Sequence, residues 1–204
     1  MKRILLGVFV LGFLICAQAF AAGIPAYEWS TDTVQSTDGS WVFGIDFQVN
    51  GSNISVSGLG YYDDNGNGFI DNHEVGMYDS VGNLLASGVV TSADSLIGHS
   101  RYIAISPIVL LAGQVYRVVG VSHSDNYTWD PLGFSVDPSI TYLGDTYQVG
   151  TTLVDPAPDF VNDATHGYFG PDFLIGSSES VPEPSTFVIL ASGLAGLVAF
   201  RRKR

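Results

Sequence analysis

Residues 41–49 place apolar side chains at every second position, and this alternation constrains the fold more than any other pattern in the chain. Successive side chains of a β-strand point to opposite faces, so the alternation predicts a strand with one buried face. Asn50 and Gly51 follow directly and predict a turn. The long middle stretch, residues 23–178, shows no extended apolar pattern with the 3.6-residue period of a helix. The side chains predicted on the buried face are Trp41, Phe43, Ile45, Phe47 and Val49.

Further short runs of β-forming residues follow, each bounded by turn residues. Residues 54–61 share one apolar face only if the strand contains a bulge near Gly58. Residues 75–78 and 84–90 are predicted to pair as a hairpin. Roughly eight to ten such strands predict an all-β fold, an antiparallel β-sandwich of jelly-roll-like form, over residues 23–178. The remaining predicted strands are 102–108, 115–121, 140–143, 146–149 and 168–175.

The amino-terminal residues 1–22 have the three parts of a secretory signal peptide. Lys2 and Arg3 form a short basic region, residues 4–16 form an apolar run, and alanines at positions 17, 19 and 21 offer small side chains for cleavage. The chain has one cysteine, Cys16, inside this leader. Because the single cysteine lies in the leader, no disulfide is expected in the mature domain. Ile15 is too large for the residue before a lipidated cysteine, so lipidation is not expected either.

Residues 179–204 form a tail of three consecutive parts. The prolines of the first part keep the backbone extended. Residues 187–200 are apolar or small and predict a hydrophobic helix, shorter than the roughly 20 residues of a usual membrane span but able to cross with its polar flanks. The basic residues that follow are expected to stay cytoplasmic, which leaves the domain outside. The extended motif is Val181, Pro182, Glu183 and Pro184, and the basic cluster is Arg201, Arg202, Lys203 and Arg204.

This tail closely resembles the PEP-CTERM sorting signal, which has the same three parts in the same order at the carboxyl end. The resemblance implies processing by an exosortase, a membrane cysteine transpeptidase, and transient anchoring in the membrane through the apolar segment. It also implies a Gram-negative bacterium that makes exopolysaccharide, and a destination at the cell surface or in the biofilm matrix. The middle of the chain looks like the presumed β-sandwich domain found in front of many such tails, and that likeness carries no activity.

The middle of the chain is strongly acidic. Between residues 23 and 180 there are nineteen acidic residues and two basic ones, Arg101 and Arg117, which gives a formal charge of −17. Such a domain repels the phosphates of DNA and RNA, so nucleic-acid binding is not expected. The charge suits cation binding or solubility outside the cell.

Residues 63–74 fit the twelve-residue calcium loop of EF-hands position by position. Gly68 stands at the sixth position, where the chain turns sharply, and Ile70 at the eighth position is expected to pin the loop to the core. Calcium takes six to eight oxygen ligands. Because the flanking residues predict strands rather than helices, we expect a calcium loop between β-strands, with a metal-free polar loop as the alternative. Two of the predicted ligands are neutral asparagines, so the site is expected to be weak. The predicted ligands are Asp63, Asn65, Asn67, the carbonyl oxygen of Phe69, Asp71 and Glu74.

Signals for enzymatic chemistry are sparse. Residues 122–125 place serine, histidine and aspartate side by side, whereas a catalytic triad converges from separate segments. Four aspartates are candidates for the close carboxylate pair of a glycosidase. Trp41, Trp129 and the tyrosines could stack on sugar rings or fill the core of the sandwich. The four aspartates are Asp155, Asp159, Asp163 and Asp172.

These observations favour a non-enzymatic surface or matrix protein that is stabilised by calcium and contacts exopolysaccharide. The alternative is an extracellular hydrolase acting on polysaccharide.

Overall fold

A computed structural model of the protein describes residues 23–30, 34–129, 131–156 and 167–176, which fall within the predicted sandwich domain. These residues form β-strands and one short 3₁₀ turn, Asp64–Gly66, and they include no helix with the length and apolarity of a membrane span. The predicted leader and sorting tail lie outside the described residues. The strands are β1 (Ile24–Pro25), β2 (Tyr27–Glu28), β3 (Val34–Ser36), β4 (Trp41–Val49), β5 (Ile54–Tyr62), β6 (His73–Asp79), β7 (Leu84–Val90), β8 (Ser95–Ile97), β9 (Ser100–Leu110), β10 (Val115–Val121), β11 (Tyr127–Trp129), β12 (Ser135–Val136), β13 (Ile140–Val149), β14 (Tyr168–Phe169) and β15 (Pro171–Gly176).

Ten of these strands form two five-stranded sheets. Sheet I has the order β1-β15-β5-β9-β8, and sheet II has the order β13-β4-β10-β6-β7. The remaining strands form two smaller sheets, β14-β11-β3 and β12-β2, and all neighbouring strands run antiparallel. The prediction of an all-β antiparallel fold is therefore confirmed.

One apolar core joins the two large sheets. Ile45 and Phe47 of sheet II and Leu59 and Phe173 of sheet I are fully buried in it. The rings of Phe47 and Phe173 stack across the interface with their centroids 4.7 Å apart. Burying an apolar side chain of this size contributes about 1.5–3 kcal/mol, so this shared core holds the sheets together as a sandwich.

Strand β4 has the bounds that its alternation predicts, but both of its faces are covered. Val42, which points away from the main core, packs with Tyr78 and with Leu153 in a second apolar cluster. Residues 151–156, here named the strap, thus cover the outer face of sheet II. Arg117 ties the strap down, since its guanidinium binds Asp155 as well as the carbonyl oxygen of Pro156.

The bounds of β7 and β10 and the bulge near Gly58 also match the sequence predictions. Two other predictions are wrong in detail. Residues 140–143 and 146–149 belong to one strand, β13, which is interrupted only by a shift of register between Tyr142 and Gly144. Residues 168–175 form two short strands, β14 and β15, that pair in different sheets.

Candidate functional site

The predicted calcium loop, residues 63–74, connects β5 of sheet I to β6 of sheet II, so strands flank it as expected. Gly68 has φ +96°, a backbone conformation that favours glycine, and this agrees with the sharp turn predicted at that position. The N–H of Gly68 donates to both carboxylate oxygens of Asp63, at 3.0 and 3.1 Å. The first and sixth positions of the loop are therefore joined by hydrogen bonds.

Asp63, at the first position of the loop, is paired with the guanidinium group of Arg101. Asp63 is only 2% exposed, and its Oδ2 accepts a hydrogen bond from Nε of Arg101 at 2.5 Å. The same guanidinium donates to the carbonyl oxygens of Gly66 and Asp94. Arg101 thus supplies a positive charge within the loop and neutralises a buried carboxylate, which would be costly to leave unpaired.

The other predicted ligands point to separate partners. The side chain of Asn65 donates to Asp64, and Asp71 accepts the N–H of Ser124 at 3.2 Å. Glu74 lies 2.7 Å from Nε2 of His123. Asn67 is exposed. Within the described residues, no three His, Cys, Asp or Glu side chains are grouped as a metal site.

Phe69, rather than Ile70, attaches the loop to the core. Ile70 is 80% exposed, so the prediction that it pins the loop is wrong. The ring of Phe69 packs against the core and meets His73 edge to face at 4.4 Å. Both backbone groups of Phe69 bond to the hydroxyl of Ser92, including the carbonyl oxygen predicted as a ligand. Phe69 and Ile70 are adjacent and point in opposite directions, so the side chain that packs on the core is Phe69 and the exposed one is Ile70.

Asp125, which sequence reasoning does not connect with this loop, closes it from outside. Its carboxylate accepts the N–H groups of Ile70 and Asp71, each at 2.8 Å. It also lies 3.2 Å from Nε2 of the fully buried His73. Burial lowers the pKa of His73, whose Nδ1 bonds to the carbonyl oxygen of Val121.

The serine, histidine and aspartate at 122–125 therefore do not form a triad. Ser122 Oγ accepts the N–H of Trp41, His123 pairs with Glu74, and Asp125 binds the loop backbone. These three neighbouring residues therefore make three separate structural contacts, each with a different part of the chain.

Two of the four carboxylates considered for sugar hydrolysis lie in the described residues, and they bind different partners. Asp155 lies in the strap and binds Arg117. Asp172 is buried in β15, where it accepts a hydrogen bond from the hydroxyl of Tyr102 at 2.5 Å. Asp159 and Asp163 lie outside the described residues.

A second candidate site consists of aromatic side chains from two strands of sheet II, β4 and β13, and from two strands of the three-stranded sheet, β11 and β14. We name Trp41, Trp129, Tyr147 and Tyr168 the aromatic platform, because all four are partly accessible. Consecutive ring centroids along the platform are 5.5 Å apart for Trp129 and Tyr168, 5.2 Å for Tyr168 and Tyr147, and 5.8 Å for Tyr147 and Trp41. Trp129 and Tyr168 are nearly parallel, with an angle of 28° between their planes, whereas Tyr147 meets both Tyr168 and Trp41 edge to face. The four rings therefore form one contiguous aromatic cluster.

Strand pairing explains why these rings meet. Trp129 of β11 is directly opposite Tyr168 of β14, and Tyr147 of β13 is directly opposite Phe43 of β4. The buried rings of Phe43 and Tyr127, 4.7 Å apart, both contact Tyr168 from the interior. Since paired aromatic residues on neighbouring strands stabilise one another, this support holds the platform in a defined arrangement.

One carboxylate is bound to the edge of this aromatic group. Asp38 Oδ1 accepts hydrogen bonds from Nε1 of Trp41 at 3.0 Å and from the hydroxyl of Tyr127 at 2.9 Å. These two hydrogen bonds lower the pKa of Asp38, so this exposed side chain is ionised near neutral pH. The platform thus combines exposed ring surface with a fixed negative charge.

Comparison with known proteins gives two family matches. A family model described as "Domain of unknown function (DUF4082)" matches residues 28–167, and one described as "PEP-CTERM protein-sorting motif" matches residues 180–204. The second match confirms the resemblance predicted from the tail. No curated protein and no solved structure matches the chain.

Proposed function

The chain belongs to the family described as "Domain of unknown function (DUF4082)", and we propose that this domain acts here as a non-enzymatic module that contacts a glycan. The sorting motif at residues 180–204 makes the chain an exported protein that the exosortase system sorts to the cell surface. Our proposal adds what the domain does after sorting, namely binding to exopolysaccharide in the surface layer or matrix of a Gram-negative bacterium.

The aromatic platform is the observation that carries this proposal. Aromatic side chains offer a large, rigid contact surface at low cost in conformational entropy, and they are typical of interfaces. Trp129 is 38% exposed although its neighbours Thr128 and Tyr127 are buried. A large ring held at the surface on a buried strand is suited to stacking against the apolar face of a sugar ring.

The surroundings of the acidic side chains favour binding over hydrolysis. A glycosidase needs two carboxylates that face one cleft, about 5–9.5 Å apart. Asp155 is held by Arg117 on the outer face of sheet II, and Asp172 is buried in sheet I with Tyr102. Each of these two carboxylates has a structural partner of its own.

Replacing Trp129 with alanine is expected to weaken glycan binding by about tenfold or more, because this change removes the most exposed ring of the platform. The measurement is binding of the full exported protein to immobilised polysaccharides, namely a neutral dextran, the polyuronate alginate and chitosan. Trp129→Phe should retain part of the affinity, since it keeps an aromatic ring.

Val109→Ala is the matched control for this experiment. Val109 is 62% exposed and lies on β9 of sheet I, outside the platform. The Val109→Ala variant should therefore bind each polysaccharide as tightly as the wild type does. Equal binding by the wild type and Trp129→Ala to every polysaccharide would contradict the proposed role of the platform.

We also propose that the loop 63–74 binds calcium in competition with Arg101. The donor oxygens are of the type that calcium prefers, and Gly68 gives the loop its turn. Asp63 is paired with Arg101 and Glu74 with His123, so both contacts would have to open before these carboxylates could bind a metal ion. Weak binding follows, because the metal has to displace a cation that belongs to the fold.

Replacing Arg101 with methionine is therefore expected to enlarge the stabilisation by calcium. A ligand that binds only the folded state at ten times its dissociation constant stabilises by about 1.4 kcal/mol. Thermal melting of the wild type and of Arg101→Met, each with calcium and with a chelator, measures this increment. Arg117→Met removes a similar ion pair away from the loop and should show no such gain. The same calcium increment in all three proteins would contradict the competition.

A further inference from the structure

The number of arginine and lysine side chains near the aromatic platform limits which glycans it can bind. Between residues 4 and 200 the chain has only two basic residues, Arg101 and Arg117, against nineteen acidic residues in the stretch 23–180. A surface that binds uronic acid or other anionic sugars normally uses arginine or lysine to pair with the carboxylates. Any such contact on this domain would have to come from these two arginines.

Both arginines bind carboxylates of the domain itself. The Arg101 guanidinium lies in the loop 63–74, where it binds Asp63 and two carbonyl oxygens. Arg117 binds Asp46 with two hydrogen bonds and Asp155 with a third. Neither residue belongs to the strands that carry the platform, which are β4, β11, β13 and β14. The platform therefore has no guanidinium or ammonium group to offer to an anionic sugar.

The charges that do accompany the platform are negative. Asp38 holds its carboxylate against Trp41 and Tyr127 at the edge of the rings. Asp145 lies behind Tyr168 and accepts its N–H at 3.3 Å, and burial raises the pKa of Asp145 to about 6. The faces of aromatic rings also attract cations, most strongly when the ring belongs to tryptophan. The faces of the platform rings and the carboxylate of Asp38 thus both favour a ligand that carries positive charge.

We infer that the glycan bound by the aromatic platform carries free, positively charged amino groups, as in a polymer of deacetylated amino sugars. The inference rests on the proposed function and narrows it to one chemical class. In this arrangement the sugar rings stack on Trp129 and its neighbours, and an ammonium group of the sugar lies against Asp38. The overall negative potential of the domain steers the cationic polymer toward the surface.

The test compares one polymer in two chemical forms. Highly deacetylated chitosan and the same polymer after N-acetylation present equal ring surfaces and differ in charge, and alginate serves as the anionic probe. The full exported protein is expected to bind the deacetylated form at least tenfold more tightly than the acetylated form, at a pH at which the amines are protonated. The difference should shrink as salt is raised from roughly 0.05 M to 0.5 M, because exposed charges are screened.

Three variants separate specific binding from adsorption to an acidic protein. Trp129→Ala should lose most of the affinity for the deacetylated polymer. Asp38→Asn should reduce the preference for the deacetylated form, while Asp79→Asn, which removes the same charge at the end of β6, should leave it intact. Unchanged binding by Trp129→Ala, or equal reductions in Asp38→Asn and Asp79→Asn, would overturn the inference.

The outcomes also distinguish this inference from the proposed function. Equal, Trp129-dependent binding of both polymer forms, or tighter binding of alginate, would overturn the cationic class and leave glycan binding in place. Binding of none of the three polysaccharides through Trp129 would overturn both.

Discussion

Replacing Asp172 with asparagine is expected to stabilise the protein at pH 8 to 9 by several kcal/mol, on the order of 2–4. Burial raises the pKa of Asp172 to about 8, because the side chain is only 3% exposed and its charged form loses its hydration. Its Oδ2 bonds to the hydroxyl of Tyr102 at 2.5 Å, and its Oδ1 accepts the N–H of Phe173 at 2.7 Å. In asparagine the amide oxygen can accept the N–H of Phe173 and the amide NH2 can donate to the hydroxyl oxygen of Tyr102, so both contacts are retained without a charge.

The location of this group explains why it cannot escape to water. Asp172, Gly60 and Tyr102 form one row across the neighbouring strands β15, β5 and β9. A side chain at Gly60 would overlap the ring of Tyr102, since a Cβ atom there would lie 2.4 Å from two ring carbons. Glycine therefore lets the tyrosine ring cross the middle strand and cover the carboxyl group.

The direction of the pH dependence follows from the proton count. In the unfolded chain an aspartate has a pKa of about 3.9, whereas the folded state holds the proton of Asp172 up to about pH 8. Between these two values the folded state binds one more proton, so stability falls as pH rises through this window, by at most about 1.4 kcal/mol per pH unit. Buried Asp145 acts in the same direction up to about pH 6.

Urea unfolding from pH 4.5 to 9 measures this effect. The wild type should lose stability across this range, and Asp172→Asn should lose much less. Asp79→Asn is the control, because hydrogen bonds from Asn83 lower the pKa of Asp79 and its stabilisation disappears only as the pH falls through that lowered pKa. Parallel pH profiles for the wild type and Asp172→Asn would show that the carboxyl group ionises without cost.

Local sequence patterns predict the strands of this protein well because turn residues and alternation are local signals. The strands β4, β7 and β10 have the predicted bounds, since each runs between recognisable turns. The split between β14 and β15 has no such signal. Tyr168 and Phe169 pair with β11, whereas the residues from Pro171 onward pair with β5, and the choice of partner depends on distant parts of the chain.

The candidate sites show the same limit more clearly. The spacing of residues 63–74 identifies the loop and its turn at Gly68, but it contains no information about Arg101, which is 38 positions from Asp63. Trp41, Trp129 and the tyrosines are recognisable as candidates by residue type, but only the pairing of strands shows that Tyr147 and Tyr168 are the tyrosines that join the platform. Residue types predict which chemistry is available, and long-range strand pairing decides which side chains meet.

Replacing Arg117 with methionine is expected to destabilise the protein by about 3–5 kcal/mol, because it leaves the carboxylate of Asp46 buried without a partner. Two nitrogens of Arg117 bind Asp46, at 2.7 and 3.0 Å, and a third contact at 2.6 Å holds Asp155 in the strap. The whole stability of a domain is typically about 5–15 kcal/mol, so this one contact accounts for a large share.

A double-mutant cycle separates the buried charge from the loss of packing. Asp46→Asn combined with Arg117→Met should recover part of the loss, since no charge is then left unpaired. Asp155→Asn, at the more exposed end of the same arginine, should cost only about 1 kcal/mol or less. Urea unfolding of the wild type, Asp46→Asn, Arg117→Met, the double variant and Asp155→Asn gives the free energies of unfolding. Amide hydrogen exchange of residues 151–155 should become faster in Arg117→Met as the strap loosens. If the double variant is as unstable as the sum of the two single variants, Arg117 acts by packing and the buried ion pair contributes little.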